Sequence, residues 1–142
     1  MFFFKDFKSI NEKINLPVLN KQKISLYIKR EDLIHPIISG NKFRKLKYNI
    51  KEAINQQKSE ILTFGGAYSN HLLACSFIGK LMKLKTTGII RGDELSKQKL
   101  NSTLQKCHDF GMKFIFISRE EYKRRNEKDY ISSLKKLYRD AF

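Results

Sequence analysis

The chain has 142 residues, enough for one domain with a core of its own, and 41% hydrophobic with 30% charged residues is ordinary globular composition. No apolar run reaches the ~18 residues of a membrane-crossing helix, so no membrane partner is expected. A net charge of +15, from 29 Lys and Arg against 14 Asp and Glu, is the footprint of a polyanion binder. The basic residues are nevertheless scattered and mostly lysine, without the arginine-rich, aromatic-interleaved runs that read nucleic acid. Salt-sensitive polyanion contact is therefore expected, but no specific nucleic-acid partner.

The start, Met1-Phe2-Phe3-Phe4-Lys5-Asp6, has neither the basic region nor the apolar length of a signal peptide, which points to a cytoplasmic protein. Residues 24–30 alternate as a strand does, and Pro36 and Gly40 then break the chain. From Lys42, the apolar residues Phe43, Leu46, Ile50, Ala53 and Ile54 recur at helical spacing to about Gln57. Ile61–Phe64 is a short apolar strand ended by Gly65-Gly66. His71 to about Leu84 is a helix apolar on most sides, and Thr86–Ile90 is the next strand. A helix is expected from about Ser96, carrying Leu100, Leu104 and Cys107, with Gly111 as its stop. Lys113–Ile117 follows as a strand, and Ser118 with Glu121 has capping-box spacing for a short helix. Asp129 is expected to cap a last helix that turns Ile131, Leu134, Leu137, Tyr138 and Ala141 inward, the chain ending inside or just after it.

Strands alternating with helices of this length define an α/β fold with a mainly parallel sheet. No repeat, linker or boundary stands out, so residues 1–142 read as a single portion. Cys75 and Cys107 lack the spacing of a metal knuckle or a redox pair, and are expected as buried free thiols. His35, His71 and His108 lack metal-ligand spacing, and no metal is expected.

Two segments could carry chemistry. Lys42 follows Ser39-Gly40-Asn41 at a loop-to-helix junction. The positive end of a helix, and burial, both favour the neutral amine that attacks a carbonyl carbon. By spacing alone, a solvated lysine at a helix start is the plainer reading. Gly65-Gly66-Ala67-Tyr68-Ser69-Asn70-His71 joins a strand to a helix N-terminus, where backbone N–H groups can receive an anion. Here the plainer reading is that Ser69 or Asn70 simply caps the helix. Neither a P-loop nor a dinucleotide fingerprint is present.

Taken together, Lys29-Arg30-Glu31-Asp32-Leu33, His35-Pro36, Ser39-Gly40-Asn41-Lys42, Arg44-Lys45-Leu46, Thr63-Phe64-Gly65-Gly66, Ser69-Asn70-His71 and Gly88-Ile89-Ile90-Arg91-Gly92 resemble one family. It is the pyridoxal-phosphate enzymes typified by 1-aminocyclopropane-1-carboxylate deaminase and D-cysteine desulfhydrase, of the tryptophan-synthase β-subunit fold type. The resemblance implies pyridoxal 5'-phosphate as cofactor, held covalently by Lys42, which would also move the substrate's α-proton. Asn70 would bind the cofactor's phenolic oxygen. Ser69, as a further catalytic residue, would with Asn70 and His71 receive the carboxylate of a small amino-acid substrate. Histidine at position 71, where the deaminases are expected to carry glutamine, favours the desulfhydrase branch and β-elimination to pyruvate, ammonia and sulfide.

Family members are much longer, and a homodimer is expected of the full-length form. The resemblance implies an N-terminal portion of an incomplete fold, ending before the glycine-rich phosphate loop and expected to be inactive alone. An unpaired sheet edge would favour self-association. The alternative is a non-catalytic basic remnant that binds polyanions or a partner chain.

Overall fold

The computed structural model describes residues 8–142, so the reading of Met1–Asp6 lies outside the described residues. The chain divides into two compact units, residues 1–47 and 48–142.

In the first unit, β1 (Asn11–Ile14) pairs antiparallel with β2 (Leu26–Lys29), in register from Asn11↔Lys29 to Ile14↔Leu26. Strand β2 falls within the expected 24–30 but belongs to this two-stranded ladder and not to the parallel sheet. The intervening α1 (Pro17–Lys21) was not foreseen, although Pro17 at its first position is a helix-start signal. Lys23, in the left-handed region at φ 55°, reverses the chain after it, and the Ile24 N–H donates to the Leu19 carbonyl at 2.9 Å. Arg30 fastens the far end of the ladder, its guanidinium donating to Glu12 on β1 and to Asp32. Helix α2 (Gly40–Asn55) begins in this unit, two residues earlier than expected. Gly40 enters it at φ +57°, a conformation costly for a side-chain-bearing residue.

The second unit carries the parallel sheet. Strands β3 (Glu60–Gly65), β4 (Lys85–Arg91) and β5 (Met112–Ile117) lie side by side in chain order. Glu60↔Lys85 opens the first register and Thr86↔Met112 the second. Helix α3 (Asn70–Met82) links β3 to β4, and α4 (Ser102–Asp109) links β4 to β5. Five consecutive buried residues, 86–90, put β4 at the centre, as expected of a strand covered on both faces. Leu72, Ala74, Cys75 and Ile78 of α3, Ile89 and Ile90 of β4, and Leu104 and Cys107 of α4 form the core with Met112. Both cysteines are buried thiols, as expected, and burial pushes the Cys107 thiol up. Gly79 lets α3 close on β4, since a Cβ there would stand 2.2 Å from the Thr86 methyl.

Three expectations are corrected. The helix placed at Ser96 begins at Ser102. Residues 93–97 form a 3-10 turn, Gln98 is extended, and Asn101 caps the true helix by accepting from Thr103 and Leu104 N–H at 3.0 and 2.9 Å. The capping box on α5 (Arg119–Lys123) is half formed. Ser118 accepts from Glu121 N–H at 3.0 Å, but the Glu121 carboxylate instead accepts from the Tyr130 hydroxyl at 2.8 Å. Helix α6 (Lys128–Leu137) is preceded by Glu127 and not capped by Asp129, which sits in its first turn. Tyr130 is its buried residue, whereas Leu137 is 73% exposed. The helix also stops short of the chain end. Residues 140–142 turn back along β3, with Ala141 bridging Glu60 in parallel and the Leu62 N–H donating to the Phe142 carbonyl at 3.1 Å.

Candidate functional site

Lys42 stands in the first turn of α2, partly buried, directly before Phe43 at 1% exposure. The approach to this turn is built from the motif residues themselves. The His35 ring accepts at Nδ1 from the Ile37 and Ile38 N–H groups, both at 3.1 Å. An Nδ1 that accepts two amides carries no proton, and burial lowers the His35 pKa in the same sense. Ile38, fully buried, anchors the turn thus formed.

Glu31 ties the preceding 3-10 turn to α2. Its carboxylate accepts from Arg44 Nε and Nη2 at 2.9 and 2.8 Å and from the Ser9 hydroxyl at 2.7 Å. The Arg44 fork, then Ser9, pull its pKa to about 2. Charged motif residues around Lys42 thus have structural partners, while Lys42 itself stands in the first turn of α2.

The segment 65–71 sits at the C-terminal end of β3, the edge where ligands bind in open parallel sheets. Gly65 is required there by packing, because a Cβ would lie 2.5 Å from Leu72 Cγ. Gly66 has open space around its Cα and an ordinary φ, so of the paired glycines only Gly65 is fixed by packing. The Ser69 N–H donates to the Gly66 carbonyl at 3.1 Å, closing a turn. Ser69 Oγ then caps α3 by accepting from Leu72 N–H at 3.3 Å. From the neighbouring connection, Asn101 Nδ2 donates to the Ala67 carbonyl at 3.0 Å, fixing the middle of the loop. Tyr68 is 77% exposed and Asn70 is exposed. His71 turns back onto the sheet, its Nε2 2.9 Å from Thr63 Oγ1 on β3 and 3.5 Å from Cys75 Sγ.

At the end of β4, Gly92 takes φ +114° and its N–H donates to the Ile117 carbonyl at 2.8 Å. Beside it the Arg91 guanidinium lies 5.9 Å from the Tyr122 ring centroid, and Arg125 lies 4.9 Å from the same ring. Of the four residues singled out from sequence, Ser69, Asn70 and His71 are gathered at one helix entrance in the second unit. Lys42 belongs to the first. Sequence reasoning missed Asn101 and Thr63. Asn101 was detectable, since Asn ahead of Ser-Thr and the helically spaced Leu104 and Cys107 is a cap signature. Thr63 had no local signal, because its partner lies eight residues on, across a strand-to-helix turn.

No protein-family model matches the chain. A crystal structure of a 1-aminocyclopropane-1-carboxylate deaminase homologue superposes with a TM-score of 0.71 over 96% of this chain and 41% of its own length. At 24% identity that likeness defines the fold alone, and the fold is that of the tryptophan-synthase β-subunit type of pyridoxal-phosphate enzymes. Curated sequences go further. A bifunctional D-cysteine desulfhydrase/1-aminocyclopropane-1-carboxylate deaminase of Arabidopsis thaliana, mitochondrial by its name, is 34% identical over 111 residues, 76% of this chain and 27% of that protein. A protein of Thermotoga maritima, named as a candidate 1-aminocyclopropane-1-carboxylate deaminase, is 35% identical over 107 residues, 75% of this chain and 33% of its own length.

The chain is homologous to the N-terminal part of the 1-aminocyclopropane-1-carboxylate deaminase and D-cysteine desulfhydrase family of pyridoxal-phosphate enzymes. It spans between about a quarter and a third of the length of the curated relatives it matches.

Proposed function

We propose that Lys42, Ser69, Asn70 and His71 are this chain's share of a pyridoxal-phosphate site acting on a small amino acid. The substrate reading is β-elimination from D-cysteine, or deamination of 1-aminocyclopropane-1-carboxylate as the second choice, in a cytoplasmic enzyme. One observation carries it: the 65–71 loop is held from three sides at the ligand-binding edge of a parallel sheet. Leu72 packs on Gly65, Ser69 caps the helix, and Asn101 grips Ala67.

The residues present fit such a group in their chemistry. Lys42 offers an amine at a helix entrance. The first turn of α3 offers amide donors for an anionic substituent, and Asn70 offers an exposed side-chain amide. The cofactor, when bound, supplies the electron sink for bond breaking at the substrate's α-carbon. The chain's contribution is position and proton traffic. Lys42 would receive and return the α-proton, and Ser69 and Asn70 would orient the carboxylate at the helix end.

The test is covalent trapping on the chain itself. Incubation with pyridoxal 5'-phosphate, borohydride reduction and peptide mapping should place the label predominantly on Lys42, with Lys42→Ala losing it. Label spread evenly over the chain's other lysines, or sparing Lys42, would overturn the assignment. Sulfide release from D-cysteine by the longest form of the protein in its source then separates the two substrates.

A further inference from the structure

The His71 ring is held by a strand residue to which the family resemblance gives no role. Thr63 Oγ1 lies 2.9 Å from Nε2, and Cys75 Sγ is 3.5 Å from the same nitrogen and 3.9 Å from Nδ1. A hydroxyl has one proton to give, and among the described residues Nε2 is the acceptor that the Thr63 hydroxyl reaches. If His71 donated to Thr63, the hydroxyl proton would be left without a protein acceptor among the described residues. The thiol beside it is a second group that can donate toward Nε2. The ring also stands in the first turn of α3, where the positive helix end disfavours imidazolium.

We infer that Thr63 is a positioning residue that fixes His71 as the neutral tautomer protonated on Nδ1. The second nitrogen of a histidine is set by what the first one bonds, and here the first is set as an acceptor by the sheet. A ligand group that meets the ring at Nδ1 then meets a donor. The ligand group it selects is an acceptor, such as a carboxylate or a phenolate oxygen, and an ammonium or amide donor is disfavoured. This deepens the proposed function and rests on it for the identity of the ligand, but the tautomer does not depend on any ligand.

The experiment is nitrogen-15 NMR of the imidazole groups in the labelled 142-residue chain, whose three histidines are separable by His71→Gln. The expected result is an Nδ1–H pattern for His71 without cofactor. It should be lost, giving a mixed or Nε2–H pattern, in Thr63→Val, and kept in Thr63→Ser and in Cys75→Ala. An Nε2–H pattern in the unsubstituted chain overturns the inference. So does a Thr63→Val spectrum unchanged at His71, or loss of the pattern in Cys75→Ala. Should Thr63→Val fail to fold, the unsubstituted chain and Thr63→Ser still decide. Failure of the trapping at Lys42 leaves the tautomer standing, and a wrong tautomer leaves the trapping standing, so the two failures are distinguishable.

Discussion

A single absent carbon at position 65 lets the loop and the helix after it share one place. Leu72 fills the space above Gly65, so Gly65→Ala forces either the leucine or the strand to move. Overpacking of this kind costs about 1–3 kcal/mol. The urea midpoint of Gly65→Ala should fall accordingly, while Gly66→Ala, with open space at its Cα, should stay within about 0.5 kcal/mol of the parent. Equal losses at both positions would remove the packing account. The sequence marked the pair as special but not which member mattered, because the deciding atom belongs to Leu72 on the next element. Ser69 was legible as a cap since its partner is three residues away. Thr63 was not, since its meeting with His71 exists only after strand and helix have packed.

At the scale of elements, the local caps Ser69 and Ser118 were read from the sequence while the equally local cap of α4 was missed, and a capping residue can also reach beyond its own helix. Asn101 shows both sides of this. It caps α4, and its amide also holds Ala67 in a different connection. Asn101→Ala should therefore cost about 1 kcal/mol for the cap and about 1 kcal/mol more for the second bond. Asn101→Asp, which keeps the cap oxygen but loses the donor, should recover roughly half. If the aspartate variant were no better than alanine, the cap would not be contributing. The short connections before Leu26 were invisible in periodicity. Strand β1 is four residues long and almost wholly exposed, so it carries no apolar alternation to detect. Helix α6 was placed near its true span, but its buried side chain, Tyr130, is held by Glu121 from a neighbouring helix. That bond and burial raise its pKa to about 12, burial being the larger cause.

For the whole molecule, stability is concentrated in the second unit around β4. Its residues 86–90 are buried and paired on both sides, whereas β1 and β2 are exposed along nearly their whole length. Amide hydrogen exchange should reflect this, with Thr87–Ile90 exchanging last and the β1–β2 ladder orders of magnitude sooner. Comparable protection in the two sheets would show that the short ladder is stabilised by more than its own pairing. The parallel sheet was legible from the alternation of strands and helices, and its durability follows from the burial of β4 on both faces.

The docking of residues 139–142 onto β3 has a consequence in time. Neighbouring strands of the parallel sheet follow one another along the chain, so each pairing closes over a single helical connection. The tail is different: Lys58 donates to the Arg139 carbonyl across 81 residues of sequence, next to the Glu60↔Ala141 bridge. Loop closure over that span is entropically dearer than over one helix, and long-range pairings slow folding. During refolding the three strands should therefore assemble first and the tail should seat last. On the way out the order reverses, and the outer edge of β3 becomes the first part of the sheet to be bared.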